Sequence, residues 1–438
     1  MLHFGHISLL KRAKALGDYL IVGVTSENYD RYRGKLNVQD PLADRIKNVM
    51  DTGLADEIVV EEYEGQKIDD IIRLGADIFA IGSDWIGRFD YLKEYCQVVY
   101  LERTRGISST ELRDRQHPQI RLGVVGCGRI ANRFIPESKF VSGVTVEGVF
   151  NPHKASAETF SRKHELDFYT DDYEQFLDRV NAVYIASPHE THYLYAELAI
   201  LAGKHVLCEK PMVFTRSEAE RLFEIAQEKN VVLMEAIKTA YCPGFRRLVS
   251  CAKSGKIGRI VSVDATFTKL SPPYVRELRD RDTGGSVTEL GTYPLLAVLQ
   301  LLGSNYSDIK FYSLSDDKTG VDIFTQMYFE YPEAVATAKV GLGAKSEGSL
   351  VVSGTRGYIY VPAPWWKTEY FELRFENPSE VEKNFYKFSG DGLRYELEEF
   401  LTRITEGRMD ESACKLSGDI ANVIEKYQRF RKSKNMTK

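Results

Sequence analysis

Residues 120–131 read IRLGVVGCGRIA, and this stretch decides the fold of the longer part of the chain. An apolar run leads into Gly126 and Gly128, and Ala131 completes the spacing G-x-G-x-x-A. The run is typical of a buried strand, and the residues after it favour a helix. The first glycine permits a tight turn, the second permits close approach of a pyrophosphate, and a helix N-terminus attracts its charge. The stretch predicts a dinucleotide-binding turn, although this pattern alone is a weak signal.

Apolar runs recur on both sides of this turn. Upstream they are YLIVGV (19–24), DEIVV (56–60), DIFAIG (77–82) and QVVYL (97–101); downstream they are VTVEGVF (144–150), AVYIAS (182–187), HVLCE (205–209) and VVLMEA (231–236). Strands that alternate with helical patterns at this spacing predict parallel sheets. From about residue 258 longer strand-like stretches predict a mainly antiparallel sheet, and residues 391–432 are helical by periodicity.

The predicted fold class is therefore α/β, with two consecutive parallel-sheet, Rossmann-like domains followed by an α+β domain with a mainly antiparallel sheet. A chain of 438 residues has room for about three domains. We place them at 1–115, 119–238 and 239–438, with the C-terminal helices in the last. The polar segment DRQHPQ (114–119) has no periodicity and is interpreted as a linker.

Composition excludes several classes of function. The net charge is −5 and no Lys/Arg-rich block occurs, which argues against nucleic-acid binding. The six cysteines form no CxxC pair or Cys/His cluster, so we predict reduced thiols and no metal site. No apolar run approaches the roughly 18 residues of a membrane span, and charges near the start exclude a signal peptide. These features predict a cytoplasmic protein that acts on small molecules.

The next strand decides which dinucleotide is expected. It ends GVFNP (148–152), with Asn151 where an acidic residue would bind the ribose of NAD. His153 and Lys154 follow. The missing carboxylate removes a repulsion against a 2′-phosphate, so NADP is slightly favoured and NAD stays open.

Two further segments offer side chains for chemistry. SPHETHY (187–193) precedes CEKPM (208–212), in which Lys210 stands at a strand end. GGSVTELGTYPLL (284–296) places Glu289 and Tyr293 on a helix after a glycine pair. Taken alone, Lys210 would be a surface charge and Tyr293 a core aromatic. The nearby Arg276, Arg279 and Arg281 are interpreted as a charged surface loop, with a phosphate grip as the alternative.

The order GxGxxA, SPxxxH, EKP and glycine pair resembles the Gfo/Idh/MocA oxidoreductase family over about residues 119–430. Tyr293, where many members have histidine, is similar to the dihydrodiol-dehydrogenase and glucose–fructose oxidoreductase branch. The resemblance implies that Lys210 orients the substrate and lowers the phenol pKa, and that Tyr293 moves a proton as hydride moves to or from the nicotinamide. Glu289 is implied as a substrate contact. The implied cofactor contacts are Gly126, Gly128, Arg129, Ile130, Ala131, Asn151, Ser187, Pro188, His192, Glu209 and Lys210.

The start of the chain carries a second motif. MLHFGHISLLKRAKALGD has His3 and His6 before an amphipathic helix, and RTRGISSTELR (103–113) joins arginines, a glycine turn and hydroxyls. Each segment has a plain alternative, two incidental histidines and an N-capped helix. Together they resemble the HxGH nucleotidyltransferase superfamily, in its glycerol-3-phosphate cytidylyltransferase branch, over about the first 113 residues. IGSDWIGRFDYL (81–92) is similar to a segment of that branch.

This second resemblance implies displacement of pyrophosphate from CTP by a polyol phosphate, with Mg²⁺. His3 and His6 would stabilise charge on the α-phosphate. The other implied CTP contacts are Arg103, Thr104, Gly106, Ile107, Ser108, Ser109 and Thr110, and the implied substrate contacts are Lys35, Arg45, Asp84 and Trp85. The family's GTFD turn and its strand have no counterpart before His3, so we expect either a start further upstream or an impaired domain.

The sequence thus predicts a bifunctional enzyme. An NAD(P)-dependent oxidoreductase for a sugar, polyol or keto-sugar (phosphate) is joined to a CTP:polyol-phosphate cytidylyltransferase, which would supply a CDP-polyol for cell-surface polymers. Two alternatives stay open, a non-catalytic NAD(P)-binding regulator and a cytidylyltransferase with an inactive oxidoreductase scaffold. Both families imply a homo-oligomer, a dimer or tetramer.

Overall fold

The computed structural model describes residues 4–32, 40–63, 65–102, 119–407 and 409–436. The chain divides into two compact units. The first comprises residues up to Ile120 with Lys139–Val144, and the second comprises Arg121–Ser138 with Thr145–Lys438. Among the described residues no helix is long and apolar enough to cross a membrane.

The first unit alternates strands and helices as predicted. Its helices are α1 (Phe4–Lys14), α2 (Glu27–Tyr32), α3 (Leu42–Met50) and α4 (Gln66–Leu74), and its strands are β1 (Ile21–Thr25), β2 (Glu57–Glu61), β3 (Ile78–Gly82) and β4 (Gln97–Leu101). β1 pairs with β2 and β3 with β4, both in parallel. Within the described ranges no strand hydrogen-bonds the two pairs together.

A six-stranded sheet forms around the glycine turn. Its strands are β5 (Ile120–Val125), β6 (Val144–Phe150), β7 (Phe168–Thr170), β8 (Ala182–Ile185), β9 (His205–Glu209) and β10 (Leu233–Ala236), and the helices between them are α5 (Arg129–Ser138), α6 (Lys154–His164), α7 (Tyr173–Arg179), α8 (His192–Leu201) and α9 (Arg216–Glu228). The strand order is β10-β9-β8-β5-β6-β7, and the β10–β9, β9–β8, β8–β5 and β6–β7 pairings are parallel.

This strand order indicates the edge of the sheet at which a ligand is expected to bind. The chain runs outward from β5 through β6 and β7, then returns to β8 on the other side of β5. Ligands of open parallel sheets bind where the strand order reverses, at the carboxyl ends of the strands. β8 is buried along its whole length, as expected for a strand covered on both faces. The glycine turn after β5 therefore lies at the expected ligand edge.

The rest of the second unit builds an eight-stranded sheet. Its strands are β11 (Ile260–Thr268), β12 (Asp308–Ser315), β13 (Asp322–Glu330), β14 (Val335–Gly341), β15 (Leu350–Gly354), β16 (Gly357–Val361), β17 (Tyr370–Phe375) and β18 (Val381–Phe385), and its helices are α10 (Lys238–Tyr241), α11 (Pro243–Lys253), α12 (Ser286–Leu290), α13 (Thr292–Leu302), α14 (Leu393–Glu406) and α15 (Glu411–Met436). The order is β12-β13-β14-β11-β15-β16-β17-β18. Only β11–β14 is parallel among these pairings of described strands, so the prediction of a mainly antiparallel sheet is confirmed.

Two helices tie the two sheets of this unit together, and a third covers the eight-stranded sheet. The strongly apolar α13 packs on β11 and β14. Helix α14 contacts α5 and β9 of the first sheet. Helix α15 packs on α9, while its Tyr427 hydroxyl lies 3.1 Å from Ser313 Oγ on β12. These contacts hold the end of β9 and the start of α13 on facing sides of one cleft.

Candidate active-site cleft

A cleft of about 2050 Å³ opens at the carboxyl ends of β5, β6, β8 and β9. The glycine turn and the strand ends line one side. Lys269 and Leu270 after β11, Glu289 on α12 and Tyr293 on α13 line the other. The predicted cofactor turn and the predicted proton donor therefore share one cavity.

The glycine turn fits a dinucleotide. Gly126 has φ +101°, and a Cβ there would lie 2.8 Å from the Ala186 carbonyl oxygen, so a side chain is excluded on both counts. A Cβ on Gly128 would meet nothing nearer than that oxygen at 3.9 Å, which leaves open space above the turn. Helix α5 begins directly afterwards at Arg129. Open space, close backbone and a helix N-terminus together suit a pyrophosphate.

The neighbouring turn residues divide into two groups. Ile130 lines the cleft, whereas Ala131 is fully buried and lets α5 pack on the sheet. Arg129 also lines the cleft and is bound to Glu277 on the far side. Ala131 thus supports the turn from below and has no surface for a ligand.

Asn151 lies at the end of β6, as predicted for the ribose contact. Its Oδ1 accepts the His153 N–H at 2.9 Å, and both residues line the cleft. Lys163 lines the same end and donates to Asn132 Oδ1 at 2.7 Å. This end of the cleft has two basic side chains and no carboxylate among the described residues that line it.

The residues of the segment after β8 differ in whether they line the cleft or are buried. Ser187 and Pro188 line the cleft. His192 is fully buried, and its two ring nitrogens lie 2.9 Å from the Pro211 and Ser187 carbonyl oxygens. Its nitrogens are therefore engaged with backbone, and its main effect is to join the two loops that flank the cofactor turn. His192 also stands in the cleft lining, and its predicted cofactor contact stays a prediction.

Glu209 and Lys210 lie side by side at the end of β9. Glu209 is buried, and its carboxylate accepts the Tyr184 hydroxyl at 2.6 Å and the Lys210 amide at 3.3 Å. The Lys210 ammonium donates to the Glu289 carbonyl at 2.9 Å and lies 5.8 Å from the Tyr293 ring centroid. Lys210 and Tyr293 thus converge, while Glu209 holds the lysine from behind.

The surroundings of Tyr293 correct one expectation. Its side chain is only 8% exposed, and no described residue hydrogen-bonds its hydroxyl. Burial raises the pKa of this phenol well above the usual value, and the nearby Glu209 and Glu396 add to the shift. The expected lowering of the phenol pKa is not found in the free site, because burial and the neighbouring carboxylates raise it.

Sequence reasoning also missed several cleft residues. His189 lies 3.7 Å from Glu289 Oε2; since burial, and then Lys210, lower the pKa of His189 well below normal, the ring there is neutral. Trp366 stacks on Phe267 at 3.6 Å and lines the cleft. Lys238, Arg133 and Glu396 line it as well. His189 belongs to SPHETHY (187–193) and Lys238 to MEAIKTAYCPGF (234–245), two segments that carry the family resemblance.

One arginine of the 276–281 loop, Arg276, is paired with carboxylates. Arg276 lines the cleft, but its guanidinium is bound to Glu190 and to Asp280 at 2.9 Å. Arg279 and Arg281 do not belong to the cleft lining of the described residues. The pairing of Arg276, and the position of Arg279 and Arg281 outside the lining, favour the interpretation as a surface loop.

In the first unit, three predicted residues can be located with their side chains, namely His6, Trp85 and Arg45. His6 is exposed on α1, and Trp85 lies beside Phe89, with ring centroids 5.8 Å apart. Asp84 belongs to the 3₁₀ turn Ser83–Trp85, but its side chain lies outside the description. His3, Lys35 and the CTP loop (Arg103, Thr104, Gly106, Ile107, Ser108, Ser109, Thr110) lie outside the described residues.

Arg45 occupies an unusual position for a substrate contact. It is largely buried, and its Nη1 lies 2.9 Å from Asp30 Oδ2. Its Nε and Nη2 are buried and find no hydrogen-bond partner among the described residues. A buried guanidinium with free donors suits an anionic ligand.

Comparisons with known proteins match three successive parts of the chain. A profile described as cytidylyltransferase-like matches residues 1–115, one described as oxidoreductase family, NAD-binding Rossmann fold, matches 120–237, and the GFO/IDH/MocA C-terminal domain matches 245–360. A glycerol-3-phosphate cytidylyltransferase of Bacillus spizizenii (strain W23) is 44% identical over 114 residues, which is 26% of this chain and 87% of that protein.

The longer part has its own relatives. The scyllo-inositol 2-dehydrogenase (NADP⁺) of Bacillus subtilis is 26% identical over 324 residues, which is 71% of this chain and 96% of that enzyme. The crystal structure of a 3-ketoreductase from Actinomadura kijaniata in complex with NADP and TDP-benzene superposes with a TM-score of 0.63 at 23% identity, covering 70% of this chain and 96% of that one. The chain therefore belongs to two families, with a cytidylyltransferase-like domain fused to an NAD(P)-binding oxidoreductase of the Gfo/Idh/MocA family.

Proposed function

We propose that the second unit interconverts a hydroxyl and a carbonyl group on a sugar, polyol or keto-sugar phosphate. The observation that carries this proposal is the convergence of Lys210 and Tyr293 on the cleft that also holds the glycine turn. NAD(P)H, when bound along that turn, supplies the hydride. Lys210 orients the substrate oxygen, and Tyr293 gives its proton to that oxygen during reduction.

A phosphorylated substrate is supported by the charge of the cleft wall. Lys269, Lys345 and Lys367 line the side formed by the second sheet. No carboxylate of the described residues lies within salt-bridge distance of them, and Lys345 donates only to the Thr268 carbonyl at 3.0 Å. Ammonium groups that form no salt bridge with a described carboxylate attract an anionic substrate group.

The test is a scan of NADPH absorbance against a panel of sugars, inososes and ketose phosphates, with scyllo-inositol and NADP⁺ in the reverse direction. Turnover with at least one panel compound is expected, with a lower KM for the phosphorylated member of each pair. NADPH binding without turnover on any compound would favour a non-catalytic cofactor-binding protein and contradict the proposal.

We expect NADPH to be preferred over NADH. A carboxylate at position 151 would repel the 2′-phosphate, whereas Asn151 does not, and His153 and Lys163 lie near it. N151D should therefore move the ratio of kcat/KM values towards NADH by about tenfold, since juxtaposed like charges cost more than the roughly 1.4 kcal/mol that this factor requires. Equal ratios in wild type and N151D would refute the assignment, and N230D, outside the cleft, is the matched control.

We propose that the first unit transfers CMP from CTP, with Mg²⁺, to a polyol phosphate such as glycerol 3-phosphate. H6A should lower pyrophosphate release by about 10²–10³, the usual effect of losing one group that stabilises developing charge. K11A, an exposed change on the same helix α1, should leave the rate unchanged. Equal rates for H6A and wild type would show that His6 has no part in the transfer.

The fusion suggests that the two activities are consecutive. We propose that the oxidoreductase supplies the polyol phosphate that the first domain converts to a CDP derivative for cell-surface polymers. A reductase product that the cytidylyltransferase does not accept would end this part of the proposal. We also propose a cytoplasmic location, in keeping with six free cysteines, and a homo-oligomer formed through the exposed face of the second sheet, where Tyr312 and Leu314 are uncovered.

A further inference from the structure

The glycine pair Gly284 and Gly285 belongs to a loop that leaves no room for side chains. A Cβ on Gly284 would lie 2.4 Å from a backbone carbonyl oxygen of the same loop, and a Cβ on Gly285 would lie 1.9 Å from Asp322 Oδ1. Gly285 also has φ +113°, a conformation that other residues rarely adopt. Helices α12 and α13 follow this loop directly. The contacts that hold the loop therefore also position the two helices that line the cleft.

Asp322 holds the loop from β13. The residue is fully buried, and its Oδ2 accepts the Val287 N–H at 3.0 Å in the first turn of α12. A carboxylate at this end of a helix interacts favourably with the amide groups of the first turn. The Ser286 hydroxyl donates to the Asp322 carbonyl at 3.0 Å and accepts the Leu342 N–H at 3.0 Å. The start of α12 is thus bonded to β13 and to the residue that follows β14.

Arg431 holds the same loop from α15. Its Nη1 donates to the Gly284 carbonyl at 3.1 Å, and its Nη2 donates to the Asp282 carbonyl at 2.7 Å. Because the guanidinium is planar and rigid, two such bonds fix the orientation of the loop as well as its distance from the helix. A lysine ammonium, a point charge on a flexible stem, cannot fix both. The loop is therefore fastened to α15 at two backbone carbonyls, one on either side of Thr283.

The contact between Lys210 and the other wall of the cleft depends on where α12 lies. The Lys210 ammonium donates to the Glu289 carbonyl at 2.9 Å and lies 5.8 Å from the Tyr293 ring centroid. Lys210 directly follows β9 of the six-stranded sheet, whereas Glu289 and Tyr293 stand on α12 and α13. A shift of α12 would therefore move the carbonyl and the phenol together, away from the lysine. A misplacement of about 1 Å can lower a rate by about 10².

We propose that Arg431 is a positioning residue of the oxidoreductase. With Asp322 it holds α12 and α13 so that the Glu289 carbonyl and the Tyr293 phenol face Lys210. Neither Arg431 nor Asp322 lines the cleft formed by the described residues, so Arg431 acts through the loop and touches no reacting group. Helix α15 thus contributes to the reaction, although none of its described residues lines the cleft.

The inference rests on the oxidoreductase activity proposed above, and its first test compares R431M and R431K with wild type on the best substrate of the panel. R431M should lower kcat by about 10–10² and change KM for NADPH by no more than about twofold, because the glycine turn lies across the cleft. R431K retains one donor group and should recover part of the loss. R429M removes an exposed arginine of the same helix, paired with Glu425, and should behave as wild type.

A second background separates positioning from general damage to the fold. Because Arg431 acts through the placement of the phenol, R431M should cost much less kcat in a Y293F chain than in wild type, since effects of groups that act as a unit are non-additive. An equal loss of kcat in both backgrounds would indicate general damage and overturn the inference. An unchanged kcat in R431M would overturn it as well.

Hydrogen exchange provides a readout without turnover. The Gly285 and Val287 amides both donate hydrogen bonds within the held loop and helix, and loosening of the loop would expose them to solvent. Their peptides should exchange faster in R431M than in wild type, whereas R429M should match wild type. Unchanged exchange in R431M would contradict the inference. Absence of turnover in wild type would instead refute the proposed function, and the exchange rates would still show whether Arg431 holds the loop.

Discussion

Replacing Tyr293 with phenylalanine is expected to lower kcat of the oxidoreductase by about 10²–10⁴, the range usual for a positioned proton donor. The fold should be unaffected, because no described residue hydrogen-bonds the hydroxyl and the aromatic contact with Phe267, 5.1 Å between centroids, does not need it. Cofactor binding should be retained because Tyr293 lies on α13, across the cleft from the glycine turn. Initial rates, together with NADPH titration by fluorescence, measure the two effects separately.

Y331F is the matched control. It also removes a hydroxyl that is largely shielded from solvent, one that donates to the Gly303 carbonyl at 2.8 Å away from the cleft, and it should keep the wild-type kcat. A second variant, K210M, tests whether Lys210 and Tyr293 act in the same step. If they do, the loss of kcat in the double variant should be smaller than the product of the two single losses, because such effects are strongly non-additive. If Y293F turned over at the wild-type rate, the phenol would have no part in proton transfer.

Removing Arg394 should strongly destabilise the second unit. Arg394 and Glu137 are both buried and bind each other in two places, at 2.9 and 2.7 Å. R394M leaves the Glu137 carboxylate buried without its cation, which costs about 3–5 kcal/mol of unfolding free energy. Urea unfolding of wild type and R394M at one pH measures the loss.

The double variant R394M/E137M sharpens this test. Replacing both members of a buried ion pair by apolar residues is often neutral, so most of the lost stability should return. R246M breaks the partly exposed pair between Arg246 on α11 and Glu399 on α14 and should cost no more than about 1 kcal/mol. If R394M and R246M lost the same unfolding free energy, burial of the Arg394–Glu137 pair would not affect stability.

Much of the fold could be predicted because its signals are local. The glycine turn, the strand that ends at Lys210 and the glycine pair before α12 each carry chemistry in a few consecutive residues. The parallel and antiparallel regions differ in the length of their apolar runs. Strands covered by helices on both faces are apolar throughout, whereas strands with one face in solvent alternate apolar and polar residues. These features need no knowledge of distant contacts.

The rest of the site depends on tertiary contacts that no local pattern encodes. LRYELEEF (393–400) has the composition of a surface helix, and only the packing of α14 on β9 buries Glu396. The 3₁₀ turn His189–Thr191 decides that His189 faces the cleft while His192 points into the protein. The phenol pKa was predicted in the wrong direction because the lysine was apparent in the sequence and the burial was not.

Helix α15 contacts both sheet regions of the second unit. Its Asp419 is within 3.4 Å of Arg216 at the start of α9, and its Tyr427 reaches Ser313 on β12. Helix α15 thus packs on the region of the six-stranded sheet and on the eight-stranded sheet. If either region unfolded alone, the face of α15 that it covers would become exposed to solvent. The Rossmann domain and the antiparallel-sheet domain of this unit should therefore unfold together in one cooperative transition. Neither domain can be replaced by the corresponding domain of a relative unless α15 is replaced with it.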